Sequence, residues 1–357
     1  MPHLVVSITG HGYGHVAQTA PILNLLHEIM PELRITVRSE VPLSHLRLRI
    51  KAPFQHLPGV GDIGMAMTSA LDVHAEASRV AYRNYHADWN ARIDEEARLL
   101  RELGADLVFC NVGYLALAAA QRAGIPNVAL CSLNWFDIYR YYCGNDAVAE
   151  QIYRSYAGAD AFLRVTPGMA METLANLVSV APVATIGRNR RDELRHYLKL
   201  PADERLVLVS MGGIAARIPM ERWPHIKGVR WLVQKSWKVQ HADAIILESL
   251  PMEFGDLLAS CDALLCKPGY GSFVEAACSA TPVLYVRRPD WPEAPALTEW
   301  LQRHAVCREI SREQIDSGSI ADDLSALWSA PPSAPPLANG AAQVCDWLMH
   351  RFSLQGD

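Results

Sequence analysis

Two glycine-rich segments hold the residues best suited to chemistry. Gly10-His11-Gly12-Tyr13-Gly14-His15 follows a short apolar run at residues 4–9 and precedes VAQTAPILNLLHEIM, whose apolar residues recur at helical spacing. A strand, loop and helix in that order turn backbone N–H groups and a helix N-terminus toward one point, where an anion or polar ligand can bind. His11 and His15 sit at the mouth of this loop. Imidazole titrates near neutral pH, so either ring can take or give a proton there. Hydrogen bonding that merely holds the loop is the competing account of the same rings. A dinucleotide fingerprint needs a third glycine where His15 stands, so the spacing argues against a dehydrogenase.

The second segment, CKPGYGSFVEA at residues 266–276, passes through Pro268, Gly269, Tyr270 and Gly271 into a helical pattern that carries Ser272 and Glu275 in its first turns. Two accounts compete for Glu275. In one, Ser272 caps the helix and Glu275 closes a capping box. In the other, the glycines admit a pyrophosphate to the helix N-terminus while Glu275, one turn in, holds a ribose diol. No Asp-x-Asp triplet occurs. The eight cysteines, at 110, 131, 143, 261, 266, 278, 307 and 345, include no Cys-x-x-Cys pair and no zinc-like cluster. They are expected to be buried thiols, with no structural metal.

These loops need a scaffold, and the pattern supplies one. Apolar runs at residues 4–9, 33–38, 106–112 and 126–132 alternate with helical sequence, which implies a parallel sheet covered on both faces. Residues 70–104 have long helical character, with Tyr82, Tyr85, His86, Trp89 and Arg92 spaced along a helix surface as core packing or a binding wall. A second aromatic stretch, LNWFDIYRYYCGNDAVAEQIYRSYAG, carries the same two readings. After the basic stretch at 187–204, read as a charged linker, the pattern restarts. RLVLVSM runs into Gly212-Gly213, and VRWLVQK, DAIILES, DALLCKPG and PVLYVRR read as further strands. A Pro- and Ala-rich connection leads to a last amphipathic helix, AAQVCDWLMHRF. The expected division is an N-terminal Rossmann-like domain at 1–186 joined by the final helix at 341–357, and a C-terminal one at 187–340.

The 357 residues are half apolar and one-fifth charged, with 33 Lys and Arg against 38 Asp and Glu. A formal charge of −5 gives no general attraction to nucleic acid. No run approaches the ~20 apolar residues of a membrane span, and MPHLVVSITG lacks a secretion signal. A cytoplasmic protein is expected, with contact at the inner face of the membrane left open.

The glycine-rich first loop ending in His15, together with KPGYGSFVEAACSATPVLYVRR, resembles the GT-B nucleotide-sugar glycosyltransferases. The first loop is similar to the opening of the enzymes that add N-acetylglucosamine to form lipid II. The likeness is stronger to the glycosyltransferase-like region of plant-type L-arabinokinases, in which a similar loop precedes Arg-Arg and an acidic, proline-containing segment. Here these are Arg287-Arg288 and Asp290-Trp291-Pro292-Glu293. The kinase part of such proteins has no counterpart in this sequence, so phosphorylation is not among the expectations.

The resemblance implies an α/β architecture of two Rossmann-like domains facing a central cleft, with the final helix crossing back to the first. It implies a metal-independent, inverting transfer from a UDP-sugar, with no cofactor beyond that co-substrate. Glu275 would bind the ribose, Gly269 to Ser272 the diphosphate, and the backbone near Ser249 and Leu250 the uracil, with Pro268 also on the donor side. Gly212 and Gly213 would face the phosphates, Arg287 or Arg288 would neutralise the leaving diphosphate, and Asp290 and Glu293 would meet the donor sugar or cap the helix after them. His15 or His11 would be the base. Gly12, Tyr13, Gly14, Tyr85 and Trp89 would lie toward an unidentified acceptor, whether glycan, lipid-linked or small molecule. The glutamine pair that contacts the donor sugar in the lipid II enzymes has no counterpart in RRPDWPEAP. A non-hydrolysing UDP-sugar epimerase and a non-catalytic nucleotide-sugar binding protein are the alternatives.

Overall fold

The computed structural model describes residues 1–59, 61–69, 71–212 and 218–353. Two compact units appear: Met1–Thr68, Asp72–Val183 and Ala338–Asp357 form the first, and Ser69–Leu71 with Ala184–Leu337 the second.

The first unit is built on β1 (His3–Ile8), β2 (Arg34–Arg38), β3 (Gln55–Leu57), β4 (Leu107–Asn111), β5 (Asn127–Cys131), β6 (Ala161–Val165) and β7 (Leu177–Val180). All pair in parallel, in the order β3-β2-β1-β4-β5-β6-β7. β1, β4 and β5 are buried at every residue, as continuous apolar runs in a doubly covered sheet should be. The order reverses between β1 and β4, where Ile8 lies opposite Asn111. In such sheets, the carboxyl ends of the strands flanking the reversal form the binding crevice.

The helical stretch expected at 70–104 is two helices, Ala75–His86 and Trp89–Leu103. The first is capped by His74, whose ring accepts from the Ala77 N–H. Their aromatic residues pack inward: the Tyr82 and Tyr139 ring centroids lie 4.7 Å apart, and those of His86 and Trp89 4.6 Å apart. This settles packing over a binding wall.

The second unit carries β8 (Arg205–Ser210), β9 (Val229–Val233), β10 (Ala244–Ile246), β11 (Ala263–Cys266), β12 (Val283–Val286) and β13 (Cys307–Ile310). They are parallel in the order β10-β9-β8-β11-β12-β13, and the reversal falls between β8 and β11. The stretch expected to be a charged linker contains the helix Arg191–Leu198, whose Leu194 is fully buried. Its charges are anchored within the unit: Arg190 pairs with Asp256 at 3.3 Å and Arg191 with Asp262. A basic composition therefore marks docking here and not a free connection.

The final helix, Gly340–Ser353, belongs to the first unit, as expected. Val344, Cys345 and Leu348 are fully buried, and the Cys345 thiol donates to the Ile22 carbonyl at 3.5 Å. No cysteine forms a disulfide, and seven of the eight are buried. Among the described residues, no helix is long and apolar enough to cross a membrane.

Candidate active site

His15 lies in the first turn of the helix Gly14–Ile29, beside the end of β4. Its Nδ1 stands 2.9 Å from Asn111 Oδ1. The Asn111 amide is oriented by its other end, because Nδ2 donates to the His15 carbonyl at 3.3 Å and to Gln18 Oε1 at 3.1 Å. Gln18 in turn donates to Ser132 Oγ at 2.8 Å. With the amide oxygen facing the ring, Nδ1 carries the proton and Nε2 is left with the lone pair. The ring is 8% exposed. Burial pushes its pKa down to about 4, against the upward pull of the Asn111 bond, so it stays neutral at physiological pH.

His11 is held differently. Its ring meets Trp135 edge-on, with centroids 5.1 Å apart. The Trp135 indole donates to Asp62 Oδ2 at 2.8 Å, and Thr9 Oγ1 donates to Asp62 Oδ1 at 2.5 Å. Asp62 is 6% exposed. Burial raises its carboxyl to about 6, although both hydrogen bonds pull it down. Gly64 has φ +60° and approaches the same ring: a Cβ there would lie 2.5 Å from His11 Nδ1. Asp62, Asn111 and Trp135 escaped the sequence reading. The glycines flanking Asp62 in Gly61-Asp62-Ile63-Gly64, and a polar Asn closing an apolar strand, were the available signals.

Of the acceptor-side residues, Gly12 has φ +81°, as its turn requires, while Tyr13 and Gly14 are exposed and Tyr13 stacks on His45 at 3.6 Å. Tyr85 and Trp89 are 8% and 6% exposed inside the aromatic cluster with His86 and Tyr114. Packing, and not acceptor contact, accounts for these two.

In the second unit, Gly269 is the N-cap of the helix Tyr270–Cys278, with no side-chain cap bond. The capping box of Ser272 and Glu275 is thereby overturned: Ser272 sits within the first turn, and Glu275 is 2% exposed further along. Pro268 and Tyr270 are buried, and Gly271 is partly exposed. Gly212 has φ +76° just beyond β8, whereas Gly213 lies outside the described residues. Ser249 is exposed and its carbonyl accepts from the Tyr197 hydroxyl at 3.4 Å. The Leu250 N–H is taken by the Leu247 carbonyl at 3.1 Å. The Leu250 N–H is therefore taken, whereas the Ser249 carbonyl keeps a second lone pair.

Arg287 is exposed and lies 3.8 Å from Glu309. Arg288 is 5% exposed, with its guanidinium 4.3 Å over the Trp291 ring and its Nε donating to the Leu71 carbonyl at 3.2 Å. Asp290 is exposed. Glu293 precedes the helix Ala294–His304 without capping it and accepts from Trp291 Nε1 at 3.0 Å.

Two parallel sheets, each with a ligand-competent reversal point, define a two-Rossmann α/β protein, and known structures place it in the GT-B fold. CalG4, the calicheamicin glycosyltransferase, matches with a TM-score of 0.63 and 14% identity, covering 99% of this chain and 98% of that one. MurG from Acinetobacter baumannii gives 0.56 and 14%, covering 98% and 100%. A UDP-GlcNAc 2-epimerase from Methanocaldococcus jannaschii gives 0.56 and 12%, covering 98% and 99%. In sequence, the chain is similar to L-arabinokinase from Arabidopsis thaliana, 26% identical over 356 residues and 95% of this chain. It spans 33% of that protein's length. No family profile matches the chain.

Proposed function

We propose that this protein is a glycosyltransferase that moves a sugar from a UDP-sugar to an acceptor hydroxyl with inversion and without a metal ion. The carrying observation is the His15–Asn111 hydrogen bond, which fixes the tautomer a general base needs. His15 Nε2 takes the proton of the acceptor hydroxyl as its oxygen attacks the anomeric carbon. The bond from that carbon to the diphosphate breaks, and the nucleoside diphosphate leaves with the electron pair. Attack opposite the leaving group inverts the centre.

In this reading the uncapped N-terminus of the helix Tyr270–Cys278 receives the diphosphate, and Glu275 holds the ribose. The name of the Arabidopsis relative makes L-arabinose worth including among trial sugars. His15→Ala tests the reading: turnover should fall about 10²- to 10⁴-fold with donor affinity unchanged. Full activity in a folded variant would remove His15 from the role.

An epimerase is the second reading, favoured by Asp62 and His11, an acid and a base from two loops that both meet Trp135. Incubation of a UDP-sugar without acceptor separates the two, since only an epimerase would release the epimeric UDP-sugar.

A further inference from the structure

His15 has no charged helper. Its Nδ1 meets the Asn111 amide oxygen at 2.9 Å and the Cys131 sulfur at 3.6 Å. Among the described residues, burial and the Asn111 bond are the only influences on the ring's proton affinity, and no carboxylate or cation acts on it. Asp62, the buried carboxylate on the other side of Trp135, accepts from Thr9 Oγ1 and from the Trp135 indole instead. A carboxylate on the far nitrogen of a catalytic histidine both fixes the tautomer and stabilises the imidazolium that forms. An amide oxygen fixes the tautomer but supplies no charge.

An imidazolium at His15 would be 8% exposed with no counter-charge, which is costly. The ring is therefore a well-oriented but weak base, which burial holds at a pKa of about 4. With so weak a base, the acidity of the acceptor decides whether its proton can move. An aliphatic hydroxyl is about as poor an acid as water, at about 15.7, and a phenol lies at about 10. Losing the proton is thus roughly 10⁵- to 10⁶-fold easier for the phenol.

The mouth of the loop adds an independent feature. Tyr13, the N-cap of the helix that carries His15, stacks on His45 with ring centroids 3.6 Å apart and planes 21° apart. It is nonetheless 39% exposed. A Cβ built on Gly12 or Gly14, the residues on either side of it, meets nothing within 4 Å. An exposed ring braced by a second ring, with open space beside it, is a stacking surface for a planar aromatic body.

We infer that the acceptor is an aryl alcohol, a phenol or a fused-ring phenol, whose hydroxyl is presented to His15 and whose aromatic body packs at Tyr13. The inference rests on the transferase reading and names its acceptor class.

Transfer by the full chain tests it, with UDP-glucose, UDP-galactose, UDP-N-acetylglucosamine and UDP-L-arabinose as donors and UDP release as the readout. The acceptors are 4-nitrophenol, 2-naphthol and 4-methoxyphenol, which fall in acidity in that order, and the aliphatic alcohols glycerol and methyl glucoside. Calorimetry reads donor binding separately. The wild-type protein should transfer to the phenols, with kcat/KM at least about 10³-fold lower for the alcohols. His15→Ala should cost about 10²- to 10⁴-fold with 4-methoxyphenol, and least with 4-nitrophenol, which ionises unaided. Tyr13→Ala should raise KM for 2-naphthol about 3- to 10-fold with kcat within about twofold, and Tyr13→Phe should restore it.

Equal or faster transfer to the alcohols would overturn the inference and leave the transferase reading standing. A His15→Ala loss independent of phenol acidity, or donor binding without transfer to any phenol, would also overturn it. An unchanged KM for 2-naphthol in Tyr13→Ala would overturn the place given to the aromatic body. Neither donor binding nor transfer by the folded protein would overturn the inference and the transferase reading together.

Discussion

Two buried ionisable groups of the first unit, His15 and Asp62, oppose each other as pH falls. His15 has a folded pKa of about 4 against an ordinary 6.5. Acidification from 6.5 to 4 therefore protonates the unfolded chain first and removes roughly 3 kcal/mol of stability. Asp62 has a folded pKa of about 6 against an ordinary 3.8. As pH falls from 6 to 4, the folded protein takes this proton first and gains roughly 3 kcal/mol. These two terms offset one another, while His3, His45 and His86, whose pKa values burial also lowers, act in the same direction as His15. Asp62→Asn leaves the histidine term alone, so between pH 6.5 and 4.5 it should lose about 2 kcal/mol more stability than the wild type. Denaturant unfolding at the two pH values measures this, and parallel losses would show that Asp62 does not titrate in this window.

At the scale of elements, the sequence reading was sound where strands are covered on both faces and weak at the margins. β1, β4, β5, β8 and β11 stood out as apolar runs because neighbours pack on either side of each. β3, β7 and β13 escaped notice: each lies at a sheet edge and keeps partly or fully exposed positions. β6 escaped too, five residues between an aromatic helix and a proline. The glycine loops were legible because positive φ and close approach demand glycine. Asp62 and Asn111 were not legible, since parallel sheet order brings them to their sites from far along the chain. His15 and Asn111 are 96 residues apart in sequence. Tyr85 and Trp89 show the converse failure, since aromatic spacing marks a helix face but not what covers it.

The stretch at 187–204 offers a direct test of docking against linkage. A Cβ at Gly187 would overlap the backbone of Gly255 at the start of the helix Phe254–Ser260. Gly187→Ala should therefore destabilise the second unit by at least about 1 to 3 kcal/mol. Gly14→Ala, with nothing within 4 Å of the new methyl group, serves as the near-neutral comparison. Equal unfolding midpoints for the two variants would contradict the packing described.

On the scale of the whole molecule, a single α/β pattern used twice gives one sheet with a buried, tautomer-fixed imidazole and another with a glycine loop leading into a helix at its reversal point. The architecture was legible because alternation of apolar strands with helices is a long-range pattern that tolerates local error. The return of the final helix was legible from a proline-rich connection followed by an amphipathic run. The division of labour is the central claim: one unit supplies the base and the other holds the nucleotide. Calorimetric titration of the wild-type protein with UDP-glucose, UDP-galactose, UDP-N-acetylglucosamine, UDP-L-arabinose, GDP-mannose, dTDP-glucose and NAD, without added metal, tests that claim most directly. Saturable one-site binding of a UDP-sugar is the result expected, and binding of NAD alone, or of none of these by the folded protein, would contradict it.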